Sequence, residues 1–152
     1  MSARYLVVDG HSVIFSWPDL RALHDRNRAA ARKALADELQ HLHDTTAWRV
    51  TLVLDGKLGS AVATRRARRT DMVVSYATAD QTADSIIERL VAASGVAREI
   101  VVVTADEAER LTVESLGAET ASPSWLREIL EREGASFSAE LDRIHQTARW
   151  KR

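Results

Sequence analysis

The chain has 152 residues, a net charge of −1, 45% hydrophobic and 28% charged residues, and no cysteine. That length suits one domain with a proper core, and missing cysteines exclude disulfides, thiolate zinc sites and cysteine nucleophiles. No apolar run approaches the ~20 residues that span a bilayer, and the start lacks a basic segment leading into an apolar core, so a cytoplasmic chain without membrane contact is expected.

Tyr5, Leu6, Val7 and Val8 favour a buried strand that runs into Asp9, after which Gly10 turns the chain. In an open parallel sheet, ligands sit outside the carboxyl ends of the strands. Asp9 is therefore placed for chemistry, although Asp-Gly is also a common turn pair. Val13 to Trp17 is short and apolar, broken by Pro18 and Asp19, and Val13 to Phe15 reads as a turn of helix or a loop packed on the sheet edge. Asn27 can cap a helix to about Thr45, with Ala31, Leu35, Leu39 and Leu42 on one stripe. His41 and His43 fall on different faces near its end and are expected to be solvated. Val50 to Leu54 is a second buried strand, again followed by an acid and a glycine, Asp55 and Gly56. Lys57 to Thr70 has no apolar periodicity and, at ~14 residues, is long for a connection in a compact domain. Arg65, Arg66, Arg68 and Arg69 crowd into it. They are either a solvated loop or a phosphate grip, since guanidinium forks match phosphate oxygens.

Met72 to Ser75 reads as a third strand. Thr82 can cap the next helix, whose apolar stripe is Ala83, Ile86, Ile87, Leu90 and Val91. Gln81, Asp84 and Glu88 lie opposite, with Asp84 and Glu88 one turn apart on one face. Asp84 suits a ligand position or a helix-start carboxylate that complements the dipole. Glu99 to Val103 is a fourth strand, followed by Thr104, Ala105 and Asp106, and Ala105 to Ser115 suits a helix. Gly117 to Thr120 makes a short fifth strand, and Ser122 with Pro123 opens a helix to about Glu133. Residues 135–152 read as a short amphipathic helix (Leu141, Ile144, Ala148) or a basic tail ending Arg149, Trp150, Lys151, Arg152, packed on the domain formed by residues 1–134. The alternation predicts an α/β fold, helices on both faces of a mostly parallel sheet of about five strands.

Asp9, Asp55, Asp84 and Asp106 follow strand ends or open a helix just beyond one, and in a doubly wound sheet those points converge on one crevice. Gathered carboxylates raise each other's pKa unless a cation neutralises them. Oxygen donors without cysteine or a histidine cluster favour Mg²⁺ or Mn²⁺, which can activate water and assist in-line displacement at a phosphodiester. The sequence carries neither G-x-G-x-x-G nor G-x-x-x-x-G-K-[ST], so dinucleotide and P-loop sites are unsupported. It has no G-x-S-x-G elbow, and nothing marks His11, beside Ser12, as the base of a catalytic triad.

V-V-D-G-H-S-V-I resembles the opening D-G-Y-N-h-I signature of NYN domains in the PIN-like nuclease superfamily. The resemblance narrows to the YacP-like NYN group through V-L-D-G (family F-D-A), Q-T-A-D-S-I-I-E (family E-T-A-D-x-x-I-E), V-V-T-A-D (family V-x-T-S-D) and G-A-E-T-A-S-P-S-W-L (family G-A-x-x-x-S-x-x-x-L). The matches keep family order over roughly residues 4 to 130. They imply a three-layer PIN-like fold and a Mg²⁺- or Mn²⁺-dependent endoribonuclease of single-stranded RNA, some relatives cutting messenger RNA in association with the ribosome. Asp9, Asp84 and Asp106 would be the metal-holding acids, Asp55 a support at the edge and Glu88 a fourth carboxylate. Ser12 stands where the signature has asparagine, and Ser12 and Thr104 would order the site. His11 replaces tyrosine, Gly56 alanine, Gln81 glutamate and Ala105 serine; no principal acid is lost. On this reading Arg65, Arg66, Arg68 and Arg69 grip the RNA backbone. Trp17 and Trp150 either stack on bases or, for Trp17, pack in the core. Two other functions share the fold: an RNA- or ribosome-binding module with little cleavage, and a toxin-like nuclease held by an antitoxin.

Overall fold

The β-branched runs become the strands of one sheet, in a computed structural model that describes residues 4–56, 64–65, 71–78 and 80–133. In chain order the elements are β1 (Arg4–Asp9), α1 (Gly10–Ser16), α2 (Pro18–Arg26), α3 (Arg28–Thr45), β2 (Trp48–Leu54), β3 (Thr64–Arg65), β4 (Val73–Tyr76), α4 (Ala83–Ala93), β5 (Ile100–Val103), α5 (Glu107–Ser115) and β6 (Glu119–Ala121). A last helix, α6, covers residues 123–133. Sheet order is β3-β4-β2-β1-β5-β6. Every neighbouring pair is parallel except β3 with β4. The chain moves from β1 outward to β2 and β4, then returns to place β5 and β6 on the other side of β1. That reversal opens a crevice at the carboxyl ends of β1 and β5.

Alternation along each strand feeds two cores. Leu6, Val8, Leu52, Leu54, Val101 and Val103 face a layer of α1, α2, α3 and α6, packing against Val13, Leu35, Leu39, Leu42 and Leu126. Val7, Val53 and Val102 face the other way, onto Ile87 and Val91 of α4 and Val113 of α5. The result is the three-layer α/β/α architecture, with five parallel strands and one short antiparallel strand at the edge. Helix starts follow sequence chemistry. Asn27 Oδ1 accepts from Ala30 N–H at 3.0 Å, and Thr82 and Ser85 cap α4 reciprocally. Two glycines allow close approaches at the strand ends. A Cβ at Gly10 would lie 2.5 Å from Leu54 Cδ2, and one at Gly56 would lie 1.5 Å from the Ala77 carbonyl oxygen.

Some expectations change. The apolar stretch after Gly10 is helical throughout Val13–Phe15, because α1 starts directly on β1's last residue. His43 is buried, not solvated: its Nδ1 accepts from Val50 N–H at 3.0 Å, while Arg49 Nη2 donates to the carbonyls of His43 (2.6 Å) and Thr46 (2.8 Å). A tight α3–β2 connection folds the helix end onto the strand. Trp17 takes the packing alternative, buried with its Nε1 donating to Pro123 O at 3.0 Å. Arg66, Arg68, Arg69, Trp150 and residues 135–152 lie outside the described residues, as does the side chain of Arg65. Among the described residues, no helix is long and apolar enough to cross a membrane.

Candidate metal centre

Asp9 is both the last residue of β1 and the N-cap of α1. Its Oδ1 accepts from Ser12 N–H at 3.3 Å and its Oδ2 from Ser12 Oγ–H at 2.9 Å. The carboxylate is thereby fixed at the mouth of the crevice, only 4% exposed. Across the reversal point, Thr104 follows β5 directly. Its hydroxyl donates to Glu109 Oε2 at 3.0 Å and accepts from Asp106 N–H at 3.0 Å. It also lies 3.3 Å from Ser12 Oγ and 3.5 Å from Asp9 Oδ2. Two buried hydroxyls thus tie the carboxylates from β1 and α5 into one network.

Asp84 enters from the third side, on the first turn of α4 that Thr82 caps. Asp9, Asp84 and Glu109 each place a carboxylate oxygen within 4.8 Å of the others. Glu109 is 1% exposed, and its Oε1 finds no hydrogen-bond partner among the described residues. Its pKa is pushed up to about 10, first by burial, then by the neighbouring Asp84 carboxyl and the charge on Asp9. Burial also raises Asp84; contact with Glu109 opposes that rise, and the charges on Asp9 and Asp106 add to it. Three clustered oxygen-donor groups, two of them buried and the third half-buried, and one orphaned oxygen form a site that a hard cation would relieve.

Asp106 caps α5, its Oδ1 accepting from Ala108 N–H at 2.9 Å and Glu109 N–H at 3.2 Å. It is exposed at the rim, close enough to Asp84 to shift that carboxyl. Asp55 is half-buried beyond β2, 3.8 Å from His11 Nδ1. Glu88 stands one turn further along α4, half-buried and outside the carboxylate trio. The structure therefore gathers Asp9, Asp84, Ser12 and Thr104, sets Asp106 at the rim, and leaves Asp55 and Glu88 apart from the trio.

Glu109 is the residue that sequence reasoning missed. The run D-E-A-E from Asp106 to Glu109 has capping-box spacing, in which the glutamate returns to the N-cap amide. Here Thr104 accepts that amide instead, which frees the Glu109 side chain to turn into the crevice. A hydroxyl two residues before the cap was the available signal.

The profile of the YacP-like NYN domain matches residues 6–152. YacP of Bacillus subtilis (strain 168) is 30% identical over 114 residues, 74% of this chain and 66% of that protein. The chain thus spans just under two thirds of that relative's length. The crystal structure of Rae1 (YacP) from Bacillus subtilis is similar with a TM-score of 0.78 and 27% identity, covering 95% of this chain and 82% of the other. Its W164L mutant gives 0.77 and 26%, covering 92% and 82%.

Proposed function

The chain belongs to the YacP-like NYN domain family, and from that premise we propose that it is a divalent-metal-dependent endoribonuclease hydrolysing single-stranded RNA. Membership among these PIN-like ribonucleases supports a general endoribonuclease function. The metal dependence is supported by one observation, the close trio of Asp9, Asp84 and Glu109, two of them buried, with its orphaned oxygen. These oxygen donors fit Mg²⁺ or Mn²⁺, and they are the residues that would hold it. Such an ion supplies Lewis-acid stabilisation to a phosphodiester and makes water a better nucleophile.

The chain's own residues prepare that chemistry. Ser12 locks the Asp9 carboxylate and Thr104 the Glu109 carboxyl, so neither needs to reorganise when charge arrives. Asp84 closes the group from α4, and Asp106 adds negative charge at the rim. Asp55 supports the edge of the site, Glu88 remains a further carboxylate on α4, and Arg65, Arg66, Arg68 and Arg69 grip the RNA backbone. Messenger RNA on the ribosome belongs to this proposal through the family resemblance alone. Attack by water breaks the P–O3′ bond and leaves a 5′-phosphate and a 3′-hydroxyl.

The test is cleavage of end-labelled single-stranded RNA with Mn²⁺ by the native chain, by Asp84→Asn and in EDTA, then with translating ribosomes added. Cutting by the native chain alone, with 5′-phosphate ends, is expected. A 2′,3′-cyclic phosphate product would remove hydrolysis by water. RNA retained without cutting, on ribosomes as well, would favour the binding module.

A further inference from the structure

A row of rings leads away from the acid site along the outside of α1 and α2. His11 and Phe15 are one helical turn apart and therefore share a face of α1. Their ring centroids are 4.4 Å apart with the planes tilted by 34°. Phe15 meets His24 of α2 edge-on at 4.8 Å, and the Arg21 guanidinium lies over Phe15, 5.9 Å from its centroid. Phe15 also packs against the core, which anchors the row. The His11 side chain is 60% exposed. The ring is backed by Phe15 on one side, its Nδ1 lies 3.8 Å from Asp55 Oδ2, and most of the side chain remains accessible. Packing does not need an exposed ring at this position, which follows Asp9 by two residues.

Bases of single strands stack on aromatic faces with little regard to sequence, and a guanidinium beside the stack attracts the backbone. We propose that the exposed ring of His11, backed by Phe15, is the platform for the base beside the cleaved phosphate. Arg21 and His24 continue the track for the strand. This assignment rests on the nuclease reading for its substrate class, and it names a binding role that the carboxylates cannot supply. Only a side chain with a flat face can fill it.

A short single-stranded RNA carrying 4-thiouridine tests the track by photo-crosslinking to the native chain and to Asp84→Asn, with the modified peptide identified by mass spectrometry. The label is expected on the segment with His11 and Phe15. His11→Ala should lose it and raise KM for cleavage about fivefold or more, the effect of one lost stacking contact, with kcat nearly unchanged. His11→Tyr should restore both, which a purely structural role would not require. Phe15→Leu, keeping apolar volume without the ring, should weaken the crosslink in a folded chain. Crosslinks absent or confined to other segments, or an unchanged KM in His11→Ala, would overturn the platform while native cleavage leaves the nuclease standing. A crosslink at His11 in a chain that never cuts RNA, even on ribosomes, would keep the platform and remove the nuclease.

Discussion

Asp19 and Arg127 meet between α2 and α6 through two parallel bonds of 2.7 and 2.8 Å, whereas Asp9, Asp84 and Glu109 bring three acids within 4.8 Å without a basic partner among them. In the first group each charge answers the other. The hydrogen bond from Arg127 holds the Asp19 carboxyl below its usual range, and the same bond raises Arg127. In the second, burial and the neighbouring acids raise Asp84 and push Glu109 up to about 10. The Asp19–Arg127 pair is built for the folded chain alone and sits largely in solvent, where such pairs are worth little. The acid trio is destabilising until something else arrives, so its persistence is an argument for function.

The contrast is sharpest at Glu109. A carboxyl that keeps its proton to about 10 in the folded chain, against an ordinary 4.5, means that the unfolded chain releases that proton first as pH rises. This contribution to stability is complete below about 4.5 and is lost progressively up to about 10, by at most ~1.4 kcal/mol per pH unit for one proton. In EDTA, thermal midpoints of the native chain should therefore decline across pH 5 to 9, and Glu109→Gln should flatten that decline. Calorimetric titration with Mn²⁺ should show affinity rising with pH, as a proton must leave, and Glu109→Gln should weaken it by more than roughly tenfold. A pH-independent affinity would break the assignment of Glu109 as a ligand.

Thr104→Val keeps the volume of the hydroxyl's site but leaves Glu109 Oε2 and the Asp106 amide without their partner. Cleavage rate at fixed Mn²⁺ should fall roughly 10–100-fold, the usual cost of removing an outer partner of a metal ligand. The smallest effect belongs to the paired charges. Asp19→Ala should cost about 0.2–1 kcal/mol in urea unfolding and leave cleavage unaltered. A larger loss there would show that the comparison undervalues the surface pair.

Much of this was legible in the chain. Asn27 and Thr82 announce their helices because an N-cap side chain satisfies amides only a few residues away, a local matter. Asp9 was readable because a strand of Tyr5 to Val8 can end in only one place. Glu109 was hidden, since its spacing from Asp106 imitates a cap and its release depends on Thr104. His43 was hidden for a related reason: its burial comes from Arg49 and Val50, on an element that helical periodicity does not include. The antiparallel strand Thr64–Arg65 pairs with Ser75 and Val74 and carries no apolar alternation of its own. Patterns within one element were visible; relations between elements were not.

Gly56 carries a consequence for how this chain can be rewritten. The family signature has alanine there, yet a methyl group at this point would fall 1.5 Å from the Ala77 carbonyl oxygen, and the Ala77 amide is itself bonded to Leu54 O at 2.8 Å. Position 56 and the backbone at 77 are consequently an epistatic pair. A sequence rewritten toward the signature's alanine would have to move that backbone as well. Averaging over ancestry, ordinarily a safe route to sturdier proteins, would at this point press a methyl group onto a backbone carbonyl.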